Sequence, residues 1–320
     1  MSRVDGLLIL MVLIWGANYS VIKRAFQEIP AQPFNAVRII LASGVFWVAI
    51  RSARRHALAA DQTRSTIFYT PNALTTRDRW DLLWLGLIGH CAYQFCFVGG
   101  VAITSVSNAA LIIGATPVVV AILSAALGRE RIRALHWIGA AISVSGIYFV
   151  VGRGASFGGA TLTGDLLIMV SVGCWAAYTL GAGRLMARHS PLYVTGMTMA
   201  IGAVPYVLLA LPAILRTDWG AVRPITYLML VLSALLALNV AYLIWYVAVK
   251  KIGPARTSVY SNVVPIVAMA FAALILGESL PREKLLGAAA VLGGVFLTRL
   301  GGRISASKQK EPPLARRLSK

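Results

Sequence analysis

The sequence predicts an all-α integral membrane protein, with ten transmembrane helices forming two inverted five-helix repeats and both termini cytoplasmic. Three observations carry that expectation. The first is composition: of 320 residues, 58% are hydrophobic and 13% charged, with mean hydropathy +0.75. A soluble domain carries about 25% charged residues, so the chain has about half the charge that a water-facing surface needs. The second is an internal repeat. Moving 148 positions along the chain places Pro117 on Pro265, Glu130 on Glu278, Gly139 on Gly287 and Gly146 on Gly294. Ala-rich helices share Ala and Val by chance; one Pro, one Glu and two Gly in register mark copies of one unit. The third is the placement of Lys and Arg. With the N-terminus inside, 22 fall in inside segments and 7 outside, and Arg38 alone lies within a helix. Cytoplasmic loops carry that excess.

A spanning helix needs about 20 largely apolar residues. The first span covers about residues 5–22. Arg3 ahead of it resembles the start of a signal peptide, but no small-residue cleavage site follows, and Asn18-Tyr19-Ser20 lead to Lys23-Arg24, so it stays in the protein. The second covers about 33–50. The segment 51–81 mixes Arg, Asp, Thr and Ser around Pro71-Asn72 and is expected to be a partly ordered cytoplasmic connector, since about 30 residues bury too little apolar surface to fold alone. Spans at about 82–102 and 105–127 are split by the short turn Thr104-Ser105, and a fifth lies at about 134–152. The second half gives spans at about 164–184, 191–214, 225–248, 254–276 and 284–300, the last break but one falling at Lys250-Lys251-Ile252-Gly253-Pro254. The front of each half matches at a shift of 160, which places Asp5 on Asp165, Trp15 on Trp175 and Ala17 on Ala177. Repeat 1 is therefore 5–152 and repeat 2 is 164–300. The basic tail 301–320, with Pro312-Pro313, is expected to be disordered in the cytoplasm. Five helices per copy is an odd number, so the second copy is upside down relative to the first, a scaffold common among secondary transporters.

The net charge of +19 does not imply nucleic acid, because the basic residues lie between apolar runs and in the tail. The expected partners are the lipid bilayer and a small-molecule substrate, with a monomer as the default state. Cys91, Cys96 and Cys174 sit in apolar runs without disulfide or metal-ligand spacing, so no metal or cofactor is expected. No His-Glu-x-x-His or Gly-x-Ser-x-Gly motif is present, and the chain is not expected to be an enzyme.

Several segments resemble EamA-type members of the drug/metabolite transporter superfamily. Trp15-Gly16-Ala17-Asn18-Tyr19-Ser20-Val21-Ile22-Lys23 resembles the first-helix signature, and Phe34-Asn35-Ala36-Val37-Arg38 the second-helix Arg motif. Thr104-Ser105 through Pro117 to Gly128-Arg129-Glu130, then Trp137-Ile138-Gly139 and Gly146, resembles the body of the repeat; Tyr242 to Tyr246, Pro265, Gly277-Glu278 and Gly287 resemble its second copy. The likeness covers about residues 5–302. It implies a ten-helix bundle in the bacterial inner membrane that exports amino acids or related compounds, with another organic solute, such as a drug-like cation, as the alternative. Two features depart from the pattern. The 51–81 loop is long, and Cys174-Trp175-Ala176-Ala177-Tyr178 replaces a full Trp-Gly-x-Asn signature in the second half.

Candidate substrate-binding residues follow from polar side chains at membrane depth. Arg38 is the one basic residue well inside a helix, and an intramembrane charge is expensive. It is suited to a substrate carboxylate, or to snorkelling to the outer interface or a backbone carbonyl. His90, Gln94, Phe97 and Val101 share a helix face, with Tyr93 beside them. Asn239, Tyr242 and Tyr246 share another, with Trp245 alongside. Asn18 is a further amide at depth. These stripes read as a cavity lining or as polar glue between helices. His90 is either a proton carrier or a packed hydrogen-bonding residue. Pro117, Asn262 and Pro265 are gating candidates because Pro frees a carbonyl one turn back; a static kink is the other reading. Asp5 and Asp165 lie at helix starts, where carboxylates suit the dipole, so no carboxylate proton relay is expected. A cation carrier would need a midplane carboxylate.

Overall fold

The computed structural model describes residues 3–126, 137–139, 141–142, 145–146, 160–252, 257, 260–261 and 263–309. Among these residues every regular element is helical. Six helices are long and apolar enough to cross a membrane, and Val106–Val120 and Val264–Leu276 are shorter apolar helices. Most of the expected fifth span, Glu130 and the gating candidate Asn262 lie outside the described residues, as does the side chain of Pro117.

The first helix, α1 (Arg3–Ala25), begins with Asp5 in its first turn and ends on Lys23 and Arg24, the charge order that complements a helix dipole. Helix α2 (Ala31–Ala59) runs nine residues beyond the expected membrane end at 50. Its extension carries Arg51, Arg54 and Arg55, and the Arg51 guanidinium covers the Trp47 ring at 4.5 Å. The expected connector 51–81 is therefore half helix. Helix α3 (Thr76–Gly86) opens on a capping box in which Thr75 and Asp78 satisfy each other's amides.

The third span is not one α-helix. A π-helical turn, Leu87–Ala92, separates α3 from α4 (Tyr93–Ile103), and the Tyr93 amide donates to the Ile88 carbonyl five residues back. The eighth expected span repeats this: α9 (Pro224–Leu232), a π-helical stretch Ser233–Val240, then α10 (Ala241–Ile252), with the Ala241 amide donating to Leu236. Both bonds sit 148 positions apart. The fourth span is likewise broken, into α5 (Val106–Gly114) and α6 (Thr116–Ala126) at Ala115. Next come α7 (Ala160–Met186) and α8 (Pro191–Arg216), the latter capped by the Ser190 hydroxyl on the Tyr193 amide. Helix α11 (Val264–Leu276) ends on Gly277 at φ 66°, a left-handed cap that favours glycine. Helix α12 (Arg282–Gln309) continues into the tail that was expected to be unstructured.

The halves interleave. α1 packs on α11, α2 on α8, and α4 on α7, so each of these pairs joins the first half to the second. Small residues allow the approach. A Cβ on Gly202 of α8 would meet the His90 Cβ at 2.6 Å, and one on Gly86 would meet the Thr198 carbonyl oxygen at 2.8 Å. At one end of the bundle, the Lys23 ammonium donates to the carbonyls of Val101, Ala102 and Thr104 at 2.8, 2.8 and 2.7 Å. At the other, Asp78 pairs with Arg188 at 3.3 Å and His189 at 3.2 Å.

Asp165 corrects an expectation. α7 starts at Ala160, which puts Asp165 in its second turn, fully buried, rather than at a helix start where water and the dipole would support it.

Candidate functional site

The site is built on the two widened turns. Arg38 of α2 is 1% exposed. Its guanidinium donates through one Nη to the Ser233 hydroxyl at 3.0 Å and through the other to Gln94 Oε1 at 3.2 Å. The Ser233 hydroxyl then donates to Asn18 Oδ1 at 2.6 Å. Four helical segments thus converge on one cation. It does not snorkel; its partners are neutral side chains. Among the described residues no carboxylate lies within ion-pair distance of it, and its Nε has no partner. Removing a charge from water costs several kcal/mol, and two neutral partners with one idle donor compensate it incompletely.

Beside this cluster lies an aromatic box. Trp15 meets Trp175 edge to face with centroids 6.4 Å apart, Tyr242 at 5.8 Å and Trp245 at 5.8 Å. Tyr93 lies 5.1 Å from Trp175, which is 5.5 Å from Tyr242. The Trp15 indole donates to the Ala237 carbonyl at 3.1 Å, a carbonyl inside the second π-helical stretch. The Trp245 indole nitrogen is buried without a partner. Two idle N–H donors, on Arg38 and Trp245, and a wall of aromatic rings suit a solute with an acceptor group and an apolar part.

The structure brings Asn18, Arg38 and Gln94 together, and gathers Tyr93, Tyr242 and Trp245 next to them. Two candidates bond outside the Arg38 cluster, although the His90 ring lies 5.9 Å from that of Tyr242. Asn239 donates to the Ala42 carbonyl at 2.9 Å, which ties the π stretch to α2 as helix-to-helix glue. His90 is fully buried, with Nε2 3.3 Å from the Tyr178 hydroxyl, itself 3.1 Å from Thr198 Oγ1. That is the packed hydrogen-bonding arrangement. Pro117 and Pro265 occupy the second positions of α6 and α11, where a helix loses no internal bond to proline. They start helices, and the Pro265 ring fits against Gly114. Sequence reasoning missed Ser233, one of few hydroxyls in the apolar run 225–238, and Trp175, whose alignment with Trp15 was the available signal.

The model of the EamA-like transporter family matches residues 3–152 and again 162–300. The "Uncharacterized transporter YyaM" of Bacillus subtilis (strain 168) is 28% identical over 308 residues, covering 92% of this chain and 97% of that protein. A "Probable amino-acid metabolite efflux pump" of Salmonella typhimurium is 24% identical over 320 residues, covering 95% and 97%. One crystal structure aligns with 93% of this chain and 99% of its own at TM-score 0.62 and 19% identity, a likeness of fold alone.

Proposed function

The chain belongs to the EamA-like transporter family, and from that premise we propose a secondary transporter that exports amino acids or related small metabolites across the bacterial inner membrane by alternating access. The protein is a multi-pass membrane transporter rather than an enzyme. In this reading it has ten spans in two inverted repeats, 5–152 and 164–300, with both termini in the cytoplasm, an orientation supported by the side of the membrane on which Lys and Arg concentrate. The Thr104 end then faces outside. Inverted copies supply two related packings of one structure, and exchange between them exposes the site to each face in turn.

Arg38 carries the choice of solute. A buried guanidinium with neutral partners and an idle Nε attracts a carboxylate as its missing counter-charge. The aromatic box beside it stacks on an apolar side chain. Support for amino-acid metabolites also comes from the name of the Salmonella relative. The same cation repels a positively charged solute, which argues against the drug-like alternative.

The test is counterflow in proteoliposomes with a panel of labelled amino acids, competed by amino acids and by the matching amines that lack the carboxylate. Amino acids should compete at least tenfold better, a difference of about 1.4 kcal/mol. Equal competition by amines would remove Arg38 from the solute site.

A further inference from the structure

We infer that Asp165 is a proton-binding site that governs the outer gate, the proton holding the gate shut and its loss letting it open. The inference rests on the transporter reading only for which face is outside.

The carboxyl stands where α7 meets the turn between α4 and α5. Thr104 Oγ1 lies 2.5 Å from Oδ1, and Asn108 Nδ2 donates to Oδ2 at 3.3 Å. The backbones touch here as well: a Cβ on Gly164 would meet the Thr104 amide nitrogen at 2.9 Å. Each oxygen has one neutral partner, and among the described residues no cation lies within ion-pair distance. A buried carboxylate needs more than that. A carboxylic acid does not: its proton bonds with the Thr104 hydroxyl, which also accepts, and its carbonyl takes the Asn108 amide. The closed turn therefore fits the neutral acid. When the proton leaves to the outer solution, the resulting charge is better served by water, and the turn has to part from α7 to admit it. By linkage, a group that binds its proton more tightly in the closed form makes closure favourable at low pH and unfavourable as pH rises.

Lys284 of α12 is the charge that acts on Asp165, at longer range; it also faces Glu278, which in turn faces Lys23. Glu278 holds the same turn by a different route. Its carboxylate accepts from the Val106 amide at 2.7 Å, the Ser107 amide at 3.2 Å and the Ser107 hydroxyl at 2.7 Å, an N-terminal cap on α5 that serves the ion. Two carboxyl groups thus hold one turn, one as its cap and one as its proton site.

Hydrogen–deuterium exchange of peptides spanning 103–111 reads the gate with no solute present, so a failure here is distinct from a failure of the transport reading. Rates are corrected for the intrinsic pH dependence of exchange, with the purified full-length protein in lipid nanodiscs. Wild type should lose protection as pH rises, about tenfold for each unit of difference in proton affinity between the closed and open forms. Asp165→Asn, neutral at every pH, should stay protected throughout. Asp165→Glu should keep the dependence with a displaced midpoint, which separates loss of the proton site from misfolding. Protection in wild type that is independent of pH overturns the proposal. So does an Asp165→Asn protein that retains the wild-type dependence, since Glu278 would then be the sensor.

Discussion

Trp15 and Trp175 meet edge to face at 6.4 Å, although they stand 160 positions apart at the same place in the two copies. Equivalent positions of the two copies therefore meet inside the aromatic box. Gln94 and Tyr242, equivalent at the other shift, also face each other there. Both copies thus contribute equivalent positions to the box. The Arg38 cluster breaks the likeness: position 38 of the first copy aligns with Thr198 of the second, which bonds its own helix carbonyls and Tyr178. The cation is thus a one-sided feature on a two-sided frame.

Arg38→Lys should keep the charge and lose the fork that reaches Ser233 and Gln94 together. One charge-assisted hydrogen bond is worth about 1.5–3 kcal/mol, so half-saturation for an amino acid should rise roughly tenfold to a hundredfold. Counterflow at varied solute concentration measures it. A half-saturation within twofold of wild type would place the solute away from Arg38.

Gly202→Ala should destabilise the crossing of α8 with the first π turn, because the new methyl meets the Gly86 carbonyl oxygen and the His90 Cβ, neither of which is the free end of a flexible chain. Overpacking of this kind costs roughly 1–3 kcal/mol. Gly173→Ala is the control: its Cβ meets nothing within 4 Å, and helix propensity alone should stabilise it by about 0.5–1 kcal/mol. Thermal melting in detergent should move the two variants in opposite directions. A Gly202→Ala midpoint at or above that of wild type would contradict the close crossing.

The helical class and the repeat were legible because they are written in local quantities: apolar run length, and the positions of Pro, Glu and Gly. Gln94 and Tyr242 were set on two stripes read as one cavity lining, from helix spacing alone; Trp15 was only aligned with Trp175. The π turns were not legible. A turn with bonds five residues back has no composition of its own; Leu87–Ala92 and Ser233–Val240 read as ordinary apolar helix, and packing selects the wider turn. That turn also changes which residues share a face, which is why Asn239 left the stripe of Tyr242. Asp165 was misread for a related reason. Its helix starts earlier than the hydropathy edge, since Thr161, Thr163 and Gly164 dilute the apolar signal of Leu162, and burial there comes from Thr104 and Asn108 of another segment.

Tyr178→Phe should separate structure from transport at His90. It removes the hydroxyl 3.3 Å from Nε2, and the Nδ1 atom already has no partner. A buried imidazole left without a bond costs about 1–3 kcal/mol, and the melting temperature should fall accordingly. Counterflow without a pH gradient should remain within about threefold of wild type per folded molecule, a change of less than 1 kcal/mol. Loss of flux with stability intact would return His90 to the transport pathway.

The Glu28–Arg223 pair gives a pH dependence with a defined sign. Glu28, in the turn between α1 and α2, accepts from the Arg223 amide at 3.0 Å, from the guanidinium through Nε at 2.6 Å and through Nη2, and from the Thr226 hydroxyl at 2.8 Å. It therefore ties the first copy to the start of α9. The guanidinium bonds, then the amide and the hydroxyl, hold the Glu28 carboxyl down to about 2, from an ordinary 4.5. A depressed carboxyl stabilises the fold above its unfolded value. The contribution is therefore complete at neutral pH, declines as pH falls below 4.5, and is gone below 2. Glu28→Gln removes it at every pH. The melting temperature of wild type minus that of Glu28→Gln should be positive at pH 7 and shrink at pH 3, and high salt should reduce it because the pair lies at the rim. A difference that is the same at both pH values would show that the carboxylate charge contributes nothing to the tie.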